Sequence, residues 1–209
     1  MAIIGDVACL RRLPRARRLD GMAESLKAGL IGDVALWRLV ESRGSAALRD
    51  DEEARFAIID RSVRLKLGVV DRDPFESGER RTLNLGHTIG HALEVTSRFR
   101  LSHGKAVVLG IRAVAAIAAG RGADVDLPAR IDGVVRTLGY PMQRTFEPAD
   151  VKEALGRDKK RRQGRQRWIL PMSVGHVEEV DGVTDAELDA ALAVIHADAA
   201  PALRRRRAA

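Results

Sequence analysis

Leu83-Asn84-Leu85-Gly86-His87-Thr88-Ile89-Gly90-His91-Ala92-Leu93-Glu94, followed by Ser102-His103-Gly104, holds three of the five histidines of this 209-residue chain. His87 and His91 stand four residues apart, a spacing that stacks two side chains on one helix face about one turn apart. Neutral imidazole is the commonest metal ligand, so a metal site is the first expectation. The pattern predicts a helix from about Arg80 to Thr96. Projected at about 100° per residue, Arg80, Asn84, His87 and His91 fall in one stripe of it. A cation, an amide and two imidazoles facing one place are what a site for a metal and an anion needs. The blander alternative is a buried, hydrogen-bonded histidine among polar neighbours, and His103 close by weighs against it.

Outward from this stretch the chain reads as a succession of helices. Ser102 can cap a helix from His103 to Ala119 that closes at Gly120 or Gly122. That helix is apolar on most sides and belongs at the centre of the domain. Upstream, Met22, Leu26, Leu30, Val34 and Trp37 recur at threes and fours, as one amphipathic helix over 20–40 or two joined near Gly29 and Gly32. Ile59, Val63, Leu67 and Val70 mark another over 58–69, stopped by Asp71-Arg72-Asp73-Pro74. Segments 127–138 and 148–155 read as two more, and 185–199 as the last. Arg167 to Met172 and His176 to Val180, joined through Gly175, read as a small β-hairpin. Residues 1–13 fit a strand remnant or a short helix equally. The fold class is therefore mainly α with one hairpin, in a single helical domain over 20–200 with a basic tail over 201–209.

Composition narrows the function. Lys and Arg number 36 against 29 Asp and Glu, a net charge of +7, concentrated in 11–18, 157–167 and 204–207. Such clusters attract polyanions or phosphorylated small molecules. Aromatics at 3% leave little to stack bases on, which argues against nucleic acid. Cys9 is the sole cysteine, so neither an internal disulfide nor a thiolate zinc site can form, and a reducing cytoplasm is the expected compartment. No signal peptide is expected, and Arg112 interrupts the longest apolar run, so no membrane span is expected. Without thiolates, the third ligand of a zinc site should be a carboxylate. Glu24 is a candidate because Lys27, three residues on, shares its helix face.

The run Leu83 to Ala92, with Gly21-Met22-Ala23-Glu24-Ser25-Leu26-Lys27 upstream and His103-Gly104 and Asp158-Lys159-Lys160 downstream, closely resembles the 3-dehydroquinate synthase family. The likeness extends from about residue 6 to 180 with the motifs in family order. It implies the C-terminal metal-binding domain of a sugar phosphate cyclase, with 1–19 a remnant of the inter-domain segment. The matching positions make Glu24, His87 and His103 the ligands of Zn2+, or of another divalent ion such as Co2+, and turn His91 toward substrate. Lys27, Lys66, Arg80, Asn84 and one of Lys159 and Lys160 would hold the carboxylate, hydroxyls and phosphate of a phosphorylated seven-carbon keto acid. The implied reaction is an NAD-dependent cyclisation with phosphate elimination.

No Gly-rich phosphate loop follows a strand before Asp20, so NAD is expected only if a separate nucleotide-binding domain supplies it. A homo-oligomer is implied, and a lone domain would expose apolar surface and self-associate. The other readings are a non-catalytic binding or scaffold protein, another sugar phosphate cyclase and an iron-type polyol dehydrogenase. The Asn84 to His91 run and the Asp158-Lys159-Lys160 lysines favour a cyclase. Two departures from the family pattern stand out. Lys105 replaces a Glu that would complete a capping box with Ser102, a loss of about 0.5–1 kcal/mol, and Pro74 and Phe75 replace polar residues.

Overall fold

The computed structural model describes residues 5–161 and 166–197, apart from the side chains of 158–161. A 3-10 turn over Val7–Arg12 leads into α1 (Arg15–Ile31) and α2 (Val34–Ala47). Of the two readings of the 20–40 periodicity, two helices are found. They part at Gly32, where Asp33 accepts the Leu36 N–H at 2.8 Å and caps α2. Helix α3 (Glu52–Arg72) starts six residues before the expected Ile58, because Asp51 caps it and Glu52 and Glu53 favour its positive end.

Helix α4 (His87–Thr96) and helix α5 (His103–Ala119) form the middle of the domain, followed by α6 (Leu127–Leu138) and α7 (Pro148–Arg161). Strands β1 (Trp168–Ser173) and β2 (His176–Val180) pair antiparallel, with Trp168 opposite Val180 and an irregular register between Pro171 and Ser173. Helix α8 (Asp185–Ile195) ends sooner than the predicted Ala199, with His196 already extended. The basic tail over 201–209 lies outside the described residues.

As its composition predicts, α5 is the core element. Thirteen of its residues are buried, and α1, α4, α6, α8 and β1 pack around it. Its one buried charge, Arg112, is satisfied where it lies. The guanidinium donates to both Asp132 oxygens and to the Met142 carbonyl, so the buried cation is not left unpaired. No helix among the described residues is long and apolar enough to cross a membrane.

The predicted continuous helix from Arg80 to Thr96 is not found. Glu79–Asn84 is a 3-10 turn, and Gly86 at φ 75° separates it from α4. The reason is packing. A Cβ on Gly86 would lie 2.7 Å from the Val107 carbonyl and 2.7 Å from Ile111 Cγ1, so this chain reversal and this close seating on α5 both require glycine. The single stripe carrying Arg80, Asn84, His87 and His91 therefore does not exist.

Candidate metal centre

Helix α1 supplies Glu24 and Lys27, one turn apart. The Lys27 ammonium is buried and sits 2.7 Å from Glu24 Oε2. Burial pushes that ammonium below its ordinary pKa, and Glu24 opposes the shift. Burial likewise works to raise the Glu24 carboxyl. Lys27 first, and then His87 and His103, together outweigh it, and the group is held below its usual range. One oxygen is thus committed to Lys27, whereas Oε1 is buried and accepts no hydrogen bond.

Two imidazoles face that orphaned oxygen, His103 Nε2 at 3.3 Å and His87 Nε2 at 3.9 Å. The other ring nitrogens settle which lone pairs point inward. His87 Nδ1 lies 3.1 Å from the Leu85 carbonyl, which can only accept, so Nδ1 carries the proton and Nε2 is bare. His103 Nδ1 lies 3.1 Å from a Glu94 carboxylate oxygen, and the same reasoning bares its Nε2. Burial first, and then the charge of Lys27, pull the His87 pKa down to about 4, so this ring is neutral at pH 7.

Three lone pairs, with ligand atoms all within 4.8 Å of one another, therefore converge on one point. Such an arrangement repels itself unless a cation sits among them. One carboxylate and two imidazoles, each imidazole oriented by an outer acceptor, fit a divalent ion that keeps a position open for substrate or water.

Glycines bring the imidazoles there. Gly86 seats α4 on α5 beside His87, and Gly104, whose Cβ would lie 2.5 Å from the Asp20 backbone, seats α5 on α1 beside His103. Ser102 occupies the N-cap position of α5 but makes no cap bond. Its hydroxyl donates to Asp20 Oδ1 at 2.5 Å instead. The capping box that a Glu at position 105 would complete is thus absent from this helix end.

The three groups edge a cleft of about 600 Å³ that Lys27, Lys66, Arg80 and Asn84 also line. Cations thus surround the space next to the metal-ligating atoms. Arg80 is steered by Asp73, a buried residue whose carboxylate accepts the N–H groups of Arg80, Gly78 and Ser77 at 2.8–3.0 Å. Those hydrogen bonds hold Asp73 far below the usual carboxylate range. The Arg80 guanidinium in turn donates to the Pro74 carbonyl at 2.8 Å. Asn84 donates to Glu76 at 3.1 Å, and Glu76 also lines the cleft from a left-handed backbone at φ 57°.

His91 stands apart from this set. It is exposed and does not line the cleft, although its ring centroid is 5.2 Å from that of His87. The side chains of Lys159 and Lys160 lie outside the described residues, while their backbone belongs to α7, which packs on α4. Sequence reasoning missed Glu94, Asp73 and Glu76. Glu94 had a signal, lying seven residues after His87 and three after His91 on one helix face. Glu76 had none, because its position depends on an unusual backbone conformation.

Residues 21–161 match the family model for the 3-dehydroquinate synthase C-terminal domain. The chain belongs to that family. A 3-dehydroquinate synthase from Symbiobacterium thermophilum is 36% identical over 179 residues, 84% of this chain and 50% of the relative. One from Dehalococcoides mccartyi is 36% identical over 170 residues, 80% of this chain and 47% of the relative. The chain thus spans about half the length of the curated relatives it matches. Among solved structures, 2-epi-5-epi-valiolone synthase from Streptomyces hygroscopicus, described with NAD+ and Zn2+ bound, superposes with a TM-score of 0.83 at 28% identity, over 90% of this chain and 53% of its own. A 2-deoxy-scyllo-inosose synthase, described with carbaglucose-6-phosphate, NAD+ and Co2+, shares the fold, with a TM-score of 0.72 at 20% identity over 91% of this chain and 55% of its own.

Proposed function

We propose that this chain is the metal- and substrate-binding half of a 3-dehydroquinate synthase, acting with a nucleotide-binding domain that these 209 residues do not include. The observation that carries the reading is the convergence of Glu24 Oε1, His87 Nε2 and His103 Nε2 at the edge of a cation-lined cleft. Glu24, His87 and His103 would hold Zn2+ or Co2+. When bound, such an ion polarises a substrate oxygen and so eases oxidation of an alcohol by NAD. Lys27 keeps Glu24 ionised. Leu85 and Glu94 fix the two imidazoles. Lys27, Lys66 and Arg80 offer three cations to the phosphate and carboxylate of a seven-carbon keto acid phosphate, with Arg80 suited to a two-point contact. Asn84, anchored by Glu76, is placed for a substrate hydroxyl. The apolar side chains of α3 at the cleft mouth give the nucleotide-binding domain a surface to cover.

Metal analysis tests the site. The purified chain should carry about one zinc or cobalt, and His87→Ala and His103→Ala should each lose it. A wild-type chain that takes up no divalent ion at neutral pH, where the His87 lone pair is free, would refute the reading. Adding the nucleotide-binding half of a relative, NAD and the keto acid phosphate should then release inorganic phosphate. The likeness to a valiolone synthase favours a second reading, a cyclase for a different sugar phosphate. Release of phosphate from that substrate alone would select it.

A further inference from the structure

We propose a second divalent transition-metal site on the outer side of the same histidine wall, formed by His91, Glu94 and His103. It stands on these residues alone and goes beyond the cyclase reading. His91 and Glu94 are three residues apart on α4 and so share its face, and His103 opens α5 directly opposite. One ligand atom from each lies within 4.8 Å of the other two, a second such set that uses none of Glu24, Lys27 or His87. Glu94 Oε1 is 3.1 Å from His103 Nδ1, and the His91 and His103 ring centroids are 6.2 Å apart at 33°. His91 and His103 are both exposed, so an ion reaches this group from solvent without passing through the cleft.

The two sites share one imidazole, and a neutral imidazole has one lone pair. With the proton on Nδ1, held by Glu94, the lone pair on Nε2 faces Glu24. With the proton on Nε2, that N–H faces the orphaned Glu24 Oε1 at 3.3 Å and the bare Nδ1 faces Glu94 and His91. Glu24 Oε1 accepts no hydrogen bond, so nothing on the inward side fixes the proton, and the bond from Nδ1 to Glu94 favours the first tautomer while no ion is bound. A transition-metal ion at the outer site selects the second tautomer and takes a ligand from the inner one. The two ions oppose each other through His103, and by linkage each weakens the other by the same factor. Excess zinc or cobalt then loosens the inner ion instead of only saturating it.

Cobalt(II) titration of the full chain tests this by visible absorbance and equilibrium dialysis. The wild type should take up a first equivalent and then a second at least about tenfold more weakly. His91→Ala should abolish the second equivalent and keep the first, and Glu94→Gln should weaken both. Glu24→Gln should lose the inner equivalent while the outer one tightens by about fivefold or more, since His103 is released. Saturation at a single equivalent lost in Glu24→Gln and kept in His91→Ala overturns the outer site and leaves the cyclase reading intact. A single equivalent lost in His91→Ala but kept in Glu24→Gln supports the outer site and sinks the inner one. A second equivalent indifferent to both His91→Ala and Glu94→Gln also overturns the proposal.

Discussion

The wall of the cleft that carries His87 and His103 is closed on itself, whereas the wall formed by α3 and the loop after it is left open. On the first, Glu94, Leu85 and Lys27 each hold a functional group in place, and two glycines let three helices meet. On the second, Val63 is 48% exposed, Leu67 51% and Phe75 91%. Lys66 projects from this side with no neighbour fixing it among the hydrogen bonds and ion pairs of the described residues. The expected apolar stripe Ile59, Val63, Leu67 exists, yet it faces the cleft mouth and solvent, and the core contacts of α3 are Ala54, Ile58 and Val69. One wall holds its side chains in fixed positions, and the other leaves apolar side chains exposed.

The sharpest way to break this contrast is to fill a glycine on each wall. Gly86→Ala must adopt a left-handed backbone and push its methyl against a backbone carbonyl. The strain and the overpacking together should cost about 3 kcal/mol, and metal binding should fall with stability. Gly68→Ala on α3 meets only the flexible end of Arg72, at 3.1 Å. It should be neutral or gain up to about 1 kcal/mol from helix propensity. Urea unfolding of the two variants decides it. Equal losses would mean that the histidine wall is no more constrained than the other.

Acid should separate the walls next. The folded-state pKa of His87, about 4, lies below its ordinary value, so between roughly pH 6.5 and 4 the unfolded chain binds the extra proton. The stability tied to this group is complete above that window and is lost as pH falls through it, at no more than about 1.4 kcal/mol per pH unit. Glu24, also depressed, adds a loss of the same sign at lower pH, below the ordinary carboxylate range. Metal-free unfolding measured from pH 7 to 4 should therefore slope downward in the wild type and flatten in His87→Gln. An unchanged slope in the variant would show that the ring titrates as it does in water.

Much of the histidine wall was legible because its signals are local. Spacing places His87, family likeness supplies Glu24 and His103, and the apolar run around Ala106 to Ala118 announces the central helix. What was not legible is non-local or conformational. Gly86 reads in sequence like any glycine before a helix, and only the close seating against Val107 and Ile111 shows why the chain breaks there. The fate of the Ser102 hydroxyl depends on Asp20, 82 residues away. Helical projection grouped His91 with the cleft, but the break at Gly86 restarts the phase, so Arg80, Asn84 and His87 share the cleft and His91 does not.

The smallest effect tests the open wall itself. Val63→Ser and Leu67→Ser remove apolar side chains that are already half in solvent, so the monomer loses little packing and its stability should change by no more than about 0.5 kcal/mol. The same substitutions should reduce concentration-dependent self-association in sedimentation experiments, because an uncovered apolar surface is what drives it. They should also weaken capture by the nucleotide-binding half in the phosphate-release assay, whereas a serine at exposed Val125, which is remote in sequence from both walls and does not line the cleft, should leave that capture unchanged. Equal effects from the three substitutions would mean that the α3 surface is ordinary exposed apolar residue and that whatever covers the cleft docks elsewhere.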